Sequence, residues 1–393
     1  MFTHLKRQGN LSIAYFVKTI YAILILLSVQ TTAFAAIIIH GNQVINTPTT
    51  YNNVTLDLTD GRFTVVTGGT LTIQNSIVNM TVSPTNPFFI ALNNGGINLA
   101  NNTINVKVSG IAQNGDIAAL YQLINITQGN VNVSNNTVSI DTPFTVSFLT
   151  TQSGATNGFN INSNSMTNFH GGLYLNNSSG ALVNGNTFSN VSFSNIYFSG
   201  GLGKFTNNTF MFPGNLHMGN AYDIVNADGV TISNNIITSG SDYGISLTGV
   251  SNVFIENNKI TDGRLFAIII NTASLHEVRK NKYLSKLVPM KKLKMTSNDN
   301  IVISNNYFGQ NRYGIIAGIV DTLIITNNLF LQRFNDSSTR QYWTDNTNLL
   351  PAVNNLIWSS NTYKEAFTQD NEGDNTPSLQ FVTFPAQGGV FIN

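Results

Sequence analysis

Ionised side chains are scarce in this 393-residue chain, with 19 Lys and Arg, 18 Asp and Glu, and a charged fraction of 9%. Charges that fall close together therefore carry information. Asp223, Asp242 and Arg264 recur at nearly the spacing of a repeat described below, beside the rings of Tyr222, Tyr243, Phe266 and Tyr313. Two carboxylates on one face can serve as acid and base in glycoside hydrolysis. They could instead contribute to a Ca²⁺ site, which takes 6–8 oxygen ligands. An Arg can bind a uronate carboxylate bidentately, and flat rings can stack on sugars. The candidate catalytic residues are thus Asp223, Asp242 and Arg264, with Tyr222, Tyr243, His217 and Arg312 as candidate substrate contacts. The competing reading is a surface salt bridge between Asp242 and Arg264, worth little, beside an outward ladder of packed rings.

The composition narrows the classes of protein that could carry such a site. An average globular domain is about 25% charged, so most of the usual charge is missing, while the hydrophobic fraction of 42% is ordinary. Asparagine takes its place, with 59 residues, and glycine adds 32. This much apolar material excludes charge-driven disorder. Zero cysteine excludes a disulfide scaffold and thiolate-held zinc or iron–sulfur. A net charge of +1 speaks against nucleic acid as partner. His40, His170, His217 and His276 are too scattered along the chain to suggest a metal cluster.

The elements that must position the site follow from an internal repeat. The pattern apolar-x-apolar-x-Asn-Asn-x-apolar appears at Ile97–Ile104, Val131–Val138, Val230–Ile237, Val253–Ile260, Ile301–Phe308 and Leu323–Phe330, with looser copies between. The second asparagine falls at 102, 136, 164, 186, 208, 235, 258, 306 and 328, giving a unit of about 22 residues. The step of 48 reads as two units, with Asn281 marking the missing copy. A second strand-like element follows each pair, as in Gly172-Leu173-Tyr174-Leu175 and Gly244-Ile245-Ser246-Leu247. Period-two alternation between Asn and Gly turns predicts short strands, and no helical stretch is long enough for a crossover. One unit cannot bury its apolar face alone; stacked units can. Asparagine tolerates left-handed backbone, and stacked copies should form an amide ladder. Aligning the second elements sets Asp223 beside Asn195 and Gly244. The same alignment brings Asp242 and Arg264 into the patch.

These units resemble the parallel β-helix repeats of the right-handed β-helix superfamily, which includes pectin and pectate lyases, polygalacturonases, alginate epimerases and lyases, and NosD-type periplasmic proteins. The resemblance covers residues 60–363 and is carried best by Tyr243-Gly244-Ile245-Ser246-Leu247-Thr248-Gly249-Val250-Ser251-Asn252-Val253-Phe254-Ile255-Glu256-Asn257-Asn258-Lys259-Ile260. It implies an all-β, right-handed parallel β-helix solenoid, here of about eleven coils. It also implies an extracellular polysaccharide as partner, bound or modified by lyase, hydrolase or epimerase chemistry. A non-catalytic, adhesin-like surface solenoid is the alternative, and a NosD-like accessory factor a third. Of the polygalacturonase motifs, Asn226-Ala227-Asp228-Gly229 resembles one and Gly240-Ser241-Asp242 part of another. G-H-G and R-x-K do not occur, nor does the D-P-H-D signature of the epimerases.

Three segments lie outside the repeat. Residues 1–35 read as an export signal: Lys6, Arg7 and Lys18 precede the apolar run Ile20–Val29 and an Ala33-Phe34-Ala35 cleavage pattern. A run of ten is too short to span a membrane, so membrane contact is expected through this segment alone. The processed chain is expected to be a secreted, periplasmic or cell-surface monomer. Residues 276–296 hold seven basic residues and read as an insertion in one coil of a β-helix spanning 36–363. Residues 364–393 read as a tail that caps the open end.

Overall fold

The computed structural model describes residues 34–110, 121–151, 158–211, 220–238, 243–261, 266–271, 298–333, 347–349, 352–366 and 390–392, apart from Phe144, Ser179, Gln310, Arg312 and Gly318. Residues 36–393 form one compact unit, separate from residues 1–35. The export signal and the basic segment 276–296 lie outside the described residues. No described helix is long and apolar enough to cross a membrane.

The described chain is all β and forms a parallel solenoid. Each coil contributes short strands to three faces, and each strand pairs in parallel with its counterparts one coil before and after. On the first face Ala181–Asn184 pairs with Phe159–Asn162 and with residues 203–206. The second face follows the asparagine corner. Its strands Thr103–Val108, Thr137–Ile140, Ser165–Thr167, Thr187–Ser189 and Thr209–Met211 stack in direct register. The third face holds Val146–Thr151, Gly171–Ser178, Tyr243–Thr248 and Phe266–Asn271 among others.

Period-two alternation decides what each strand buries. On the second face Ile104, Val138, Met166, Phe188 and Phe210 point inward and are at most 2% exposed. Thr103/Asn105, Thr137/Ser139, Ser165/Thr167 and Thr187/Ser189 flank them on the outside. Rings in the same inward file stack, Phe188 on Phe210 at 5.0 Å and Phe308 on Phe330 at 4.8 Å. One continuous core results, as expected of stacked units.

The paired asparagines divide the work of the corner. The first residue of each pair takes left-handed backbone, with φ of 57° at Asn101, 55° at Asn135, 55° at Asn207 and 57° at Asn257. Asparagine accepts this conformation more readily than most side chains. The second asparagine turns inward and forms the ladder. Asn186 Nδ2 donates to Ile161 O (2.8 Å) and to Asn208 Oδ1 (3.0 Å), while Asn208 Oδ1 also receives the Asn186 N–H (3.0 Å). Buried corner amides are thereby satisfied coil by coil. The ladder climbs about nine turns from Asn102 to Asn361. The end coils beyond it account for the small difference from eleven; there Ser76 takes the asparagine's place below Asn102.

Two expectations need correction. The step of 48 residues is a single coil, because Asn258 Nδ2 donates directly to Asn306 Oδ1 at 3.0 Å. Lys259 likewise pairs with Tyr307. Asn281 therefore marks no rung. The preceding coil measures 23 residues between rungs, so 25 of the 48 are an insertion. In that preceding coil Gly249 and Val250 alone join the third face to the first, since Thr248 pairs with Asn271 and Ser251 with Asp299. The extra length is thus residues 272–296, at one corner. The boundary at 363 also fails: it cuts the strand Thr362–Ala366, and Val390–Ile392 from the expected tail pairs with residues 357–359 on the first face.

Candidate functional site

The third face carries an outward file of residues in continuous register: Thr150, Tyr174, Tyr197, Asp223 and Ser246. Neighbours in the file are about 4.8 Å apart. Three residues earlier in each strand runs a second outward file, with Gly171, Ser194, Asn220, Tyr243 and Phe266. Outward residues of a solenoid are ordinarily wet. Here Tyr174 is 2% exposed, Tyr197 3%, Ser194 2% and Asp223 6%.

Asp223 is the centre of this strip. Its Oδ2 accepts the Ser194 hydroxyl and its Oδ1 accepts Asn220 Nδ2 at 2.8 Å. Ser246, its in-register neighbour, adds a third side-chain hydrogen bond. Burial raises the carboxyl above the usual carboxylate range, and the bonds from Ser194, Asn220 and Ser246 oppose the shift. Tyr197 lies one coil away; burial and the Asp223 charge raise its phenol. The Tyr174 and Tyr197 rings lie 6.0 Å apart at 22°.

Stacked rings flank Asp223 along the axis. On one side His170 lies on Phe193, 5.4 Å apart at 4°. On the other Tyr243 lies on Phe266, 5.6 Å apart at 11°. Phe193 and Tyr243 each sit one coil from Asp223. The His170 Nδ1 is 3.1 Å from the Ser192 hydroxyl, and burial lowers the imidazole to about 4. A carboxyl that tends to keep its proton, beside flat rings and neutral hydrogen-bonding groups, can donate that proton to a bound oxygen.

The candidates from sequence fare unequally. Asp223 lies in the strip, but its register neighbours are Tyr197 and Ser246, two residues away from the expected Asn195 and Gly244. Tyr222 does not face a ligand. Alternation turns it inward, where it is 0% exposed and packs on Phe205 and Phe210. Its hydroxyl donates to Asn235 Oδ1 at 2.8 Å, so it braces the ladder. Tyr243 is half-buried on the outer face, its N–H bonded to Asn220 Oδ1 at 3.3 Å. Asp242, Arg264, His217 and Arg312 lie outside the described residues. Asp228 is exposed within the strand Asn220–Ser233, where Asn252 Nδ2 (2.7 Å) and Ser251 Oγ (2.9 Å) donate to its carboxylate and lower its titration. Ser194, Asn220, Tyr197 and the His170–Phe193 pair are not among the candidates that the sequence pointed to. Strict alternation from each inward Leu or Ile would have found Tyr174 and Tyr197. Among the described residues no group of three or more His, Cys, Asp or Glu is placed to hold a metal ion.

Coils of parallel strands joined at asparagine corners define the class of fold, an all-β parallel solenoid. Residues 145–286, which include Asp223 and both ring pairs, match the family model described as "Right handed beta helix region". No curated protein matches the sequence. Among solved structures the chain is similar to DFA-IIIase from Arthrobacter chlorophenolicus A6 in complex with GF2, at 10% identity and TM-score 0.48, covering 80% of this chain and 77% of that one. It is similar to the periplasmic alginate epimerase AlgG at 12% identity and TM-score 0.39, over 91% and 84% of the two chains. The tailspike protein of E. coli bacteriophage HK620, in complex with pentasaccharide, is similar at 12% identity and TM-score 0.40. There the match covers 75% of this chain and only 56% of the tailspike. None of the three sets the chemistry of the site, which rests on its own side chains.

Proposed function

We propose that the protein is exported and acts on an extracellular polysaccharide bound along the third face, with Asp223 as proton donor. The observation that supports this most directly is the buried Asp223 carboxyl, raised by desolvation and placed on the outward side between two stacked ring pairs. The pairs lie on either side of Asp223 along the axis, so an extended glycan running parallel to the axis would meet a ring, the carboxyl and a second ring. Asp242, Arg264, His217 and Arg312 remain proposed contributors from the adjoining segments.

The test is a panel of neutral and uronate polysaccharides, assayed for binding and for depolymerisation or epimerisation with and without Ca²⁺. Asp223→Asn keeps the shape and most hydrogen bonds but removes the proton. It is expected to retain binding and to lower turnover by at least about 100-fold, within the usual contribution of a general acid. Wild-type turnover should fall as pH rises through the raised Asp223 value. Turnover unchanged by Asp223→Asn would refute the site. Binding without turnover in the wild type would favour the adhesin-like reading, and failure to bind any glycan would remove both.

A further inference from the structure

A polar recess lies in the first three coils, at the corner where the second face passes to the third. Leu58 pairs with Met80 on the second face and Phe63 with Ile90 on the third, so residues 59–62 turn this corner. The recess has a volume of about 280 Å³, and every side chain that lines it is polar, among them Asn42, Thr59, Asp60, Arg62, Thr85 and Asn86. It is remote from the strip around Asp223. Thr64, on the coil of Asp60, is six register steps from Asp223, or about 29 Å along the axis.

The walls are held before any ligand arrives. Gly61 lets the first two coils close here, since a Cβ at that position would lie 2.2 Å from Ile39 O. Ser83 and Asn86 exchange backbone hydrogen bonds of 3.0 Å around a turn stiffened by Pro84. Asn86 Nδ2 donates to Gly61 O and Thr81 O, both at 3.3 Å, which fixes the orientation of the amide. Its Oδ1 is then buried with no donor among the described residues. The Arg62 guanidinium lies 5.1 Å over the Phe88 ring and meets no acceptor among the described residues. Asn42 Oδ1 accepts the Thr64 hydroxyl at 2.8 Å, leaving Nδ2 to donate. The Asp60 oxygens lie 3.0 and 3.1 Å from His40 Nδ1 and keep lone pairs for further donors.

This lining selects a ligand by its chemistry. An anion drawn to Arg62 would face the Asp60 carboxylate, and a cation drawn to Asp60 would face Arg62. An apolar molecule would leave all of these groups unpaired, at a cost for each. A neutral ring bearing several hydroxyls satisfies both kinds of group at once. Its hydroxyls can donate to Asp60 and Asn86 and accept from Arg62 and Asn42, and the rigid guanidinium fork suits two neighbouring oxygens. The volume is small for a drug-sized ligand and suits one sugar ring.

We propose that this recess binds a neutral sugar residue, with Asp60 and Arg62 as its anchoring pair. The site does not depend on the glycan site proposed for the third face. Titration calorimetry of the purified full chain with methyl glycosides of neutral hexoses and pentoses, and separately with sodium sulfate, tests it. At least one glycoside is expected to bind, and sulfate is not. Asp60→Ala and Arg62→Met should each weaken glycoside binding at least about tenfold, the usual loss for a hydrogen bond to a charged group. The thermal midpoint should stay as in the wild type, because Asp60 is exposed and methionine keeps a packing contact on Phe88. Asp223→Asn should leave this binding unchanged. Failure of every glycoside to bind overturns the proposal, as does binding of sulfate in their place. So does binding that survives both recess variants, or that Asp223→Asn weakens to the same extent.

Discussion

His170 and Asp223 are both buried on the third face, and burial moves their titration in opposite senses for stability. His170 is lowered from 6.5 to about 4, so the unfolded chain takes up its proton before the folded protein does. The stabilisation from its neutral burial is present above about pH 6.5 and is lost as pH falls towards 4. It amounts to about 3 kcal/mol over that window. Asp223 is raised by desolvation, so the folded protein takes up its proton first, and its contribution grows as pH falls through the folded value. Denaturant unfolding of wild type and His170→Gln at pH 7 and pH 4.5 isolates the histidine. The variant should lose less stability between the two conditions; equal losses would show that His170 does not titrate in this window. Among single residues, the asparagine pairs were legible from the chain because one residue type is needed at both places for different reasons. A left-handed corner favours it, and a buried corner amide needs its donor and acceptor. Tyr222 was expected to face a ligand beside Asp223, but alternation sends adjacent side chains to opposite faces.

At the scale of one element, the corner between Asn271 and Asn298 accommodates an insertion without disturbing the stack. Asn258 bonds Asn306 as closely as other rungs bond each other, and Phe254, Ile255 and Glu256 keep register with Val302, Ile303 and Ser304. Excising residues 272–296 leaves the two-residue join used by the coil before it. The shortened protein should retain its β-type circular dichroism and melt within a few degrees of the full chain. Loss of cooperative unfolding would show that the insertion is part of the stacking. A sequence step of 48 cannot by itself distinguish two short coils from one coil with an insertion. Only the direct hydrogen bond across the gap does so. Coil lengths vary in the same way elsewhere, with rungs 22 residues apart at Asn164–Asn186 and 34 apart at Asn102–Asn136. This variability is why an alignment by spacing misplaced Asp223 by two residues.

For the molecule as a whole, cohesion comes from apolar burial and neutral hydrogen bonds. Among the described residues His40 lies 3.0 Å from Asp60, both exposed, and the two form an ion pair when the histidine is protonated. Such a pair contributes little and is screened by salt. The thermal midpoint should therefore move by no more than about 2 °C between low salt and 1 M NaCl. A shift several times larger in a differential scanning experiment would reveal charge networks that support the fold. The period-two apolar pattern and the recurring asparagine pairs were sufficient by themselves to specify stacked parallel coils, because both are local requirements repeated at each turn. They also exposed the shortage of charge that singled out Asp223. Which residues share a surface was decided only by the tertiary structure. The register between coils depends on corners of unequal length, and it sets Ser194, Asn220 and Ser246 around Asp223. The same register aligns the threonines of the second face into files. Neighbours along the solenoid axis are remote in sequence, and only stacking brings them together.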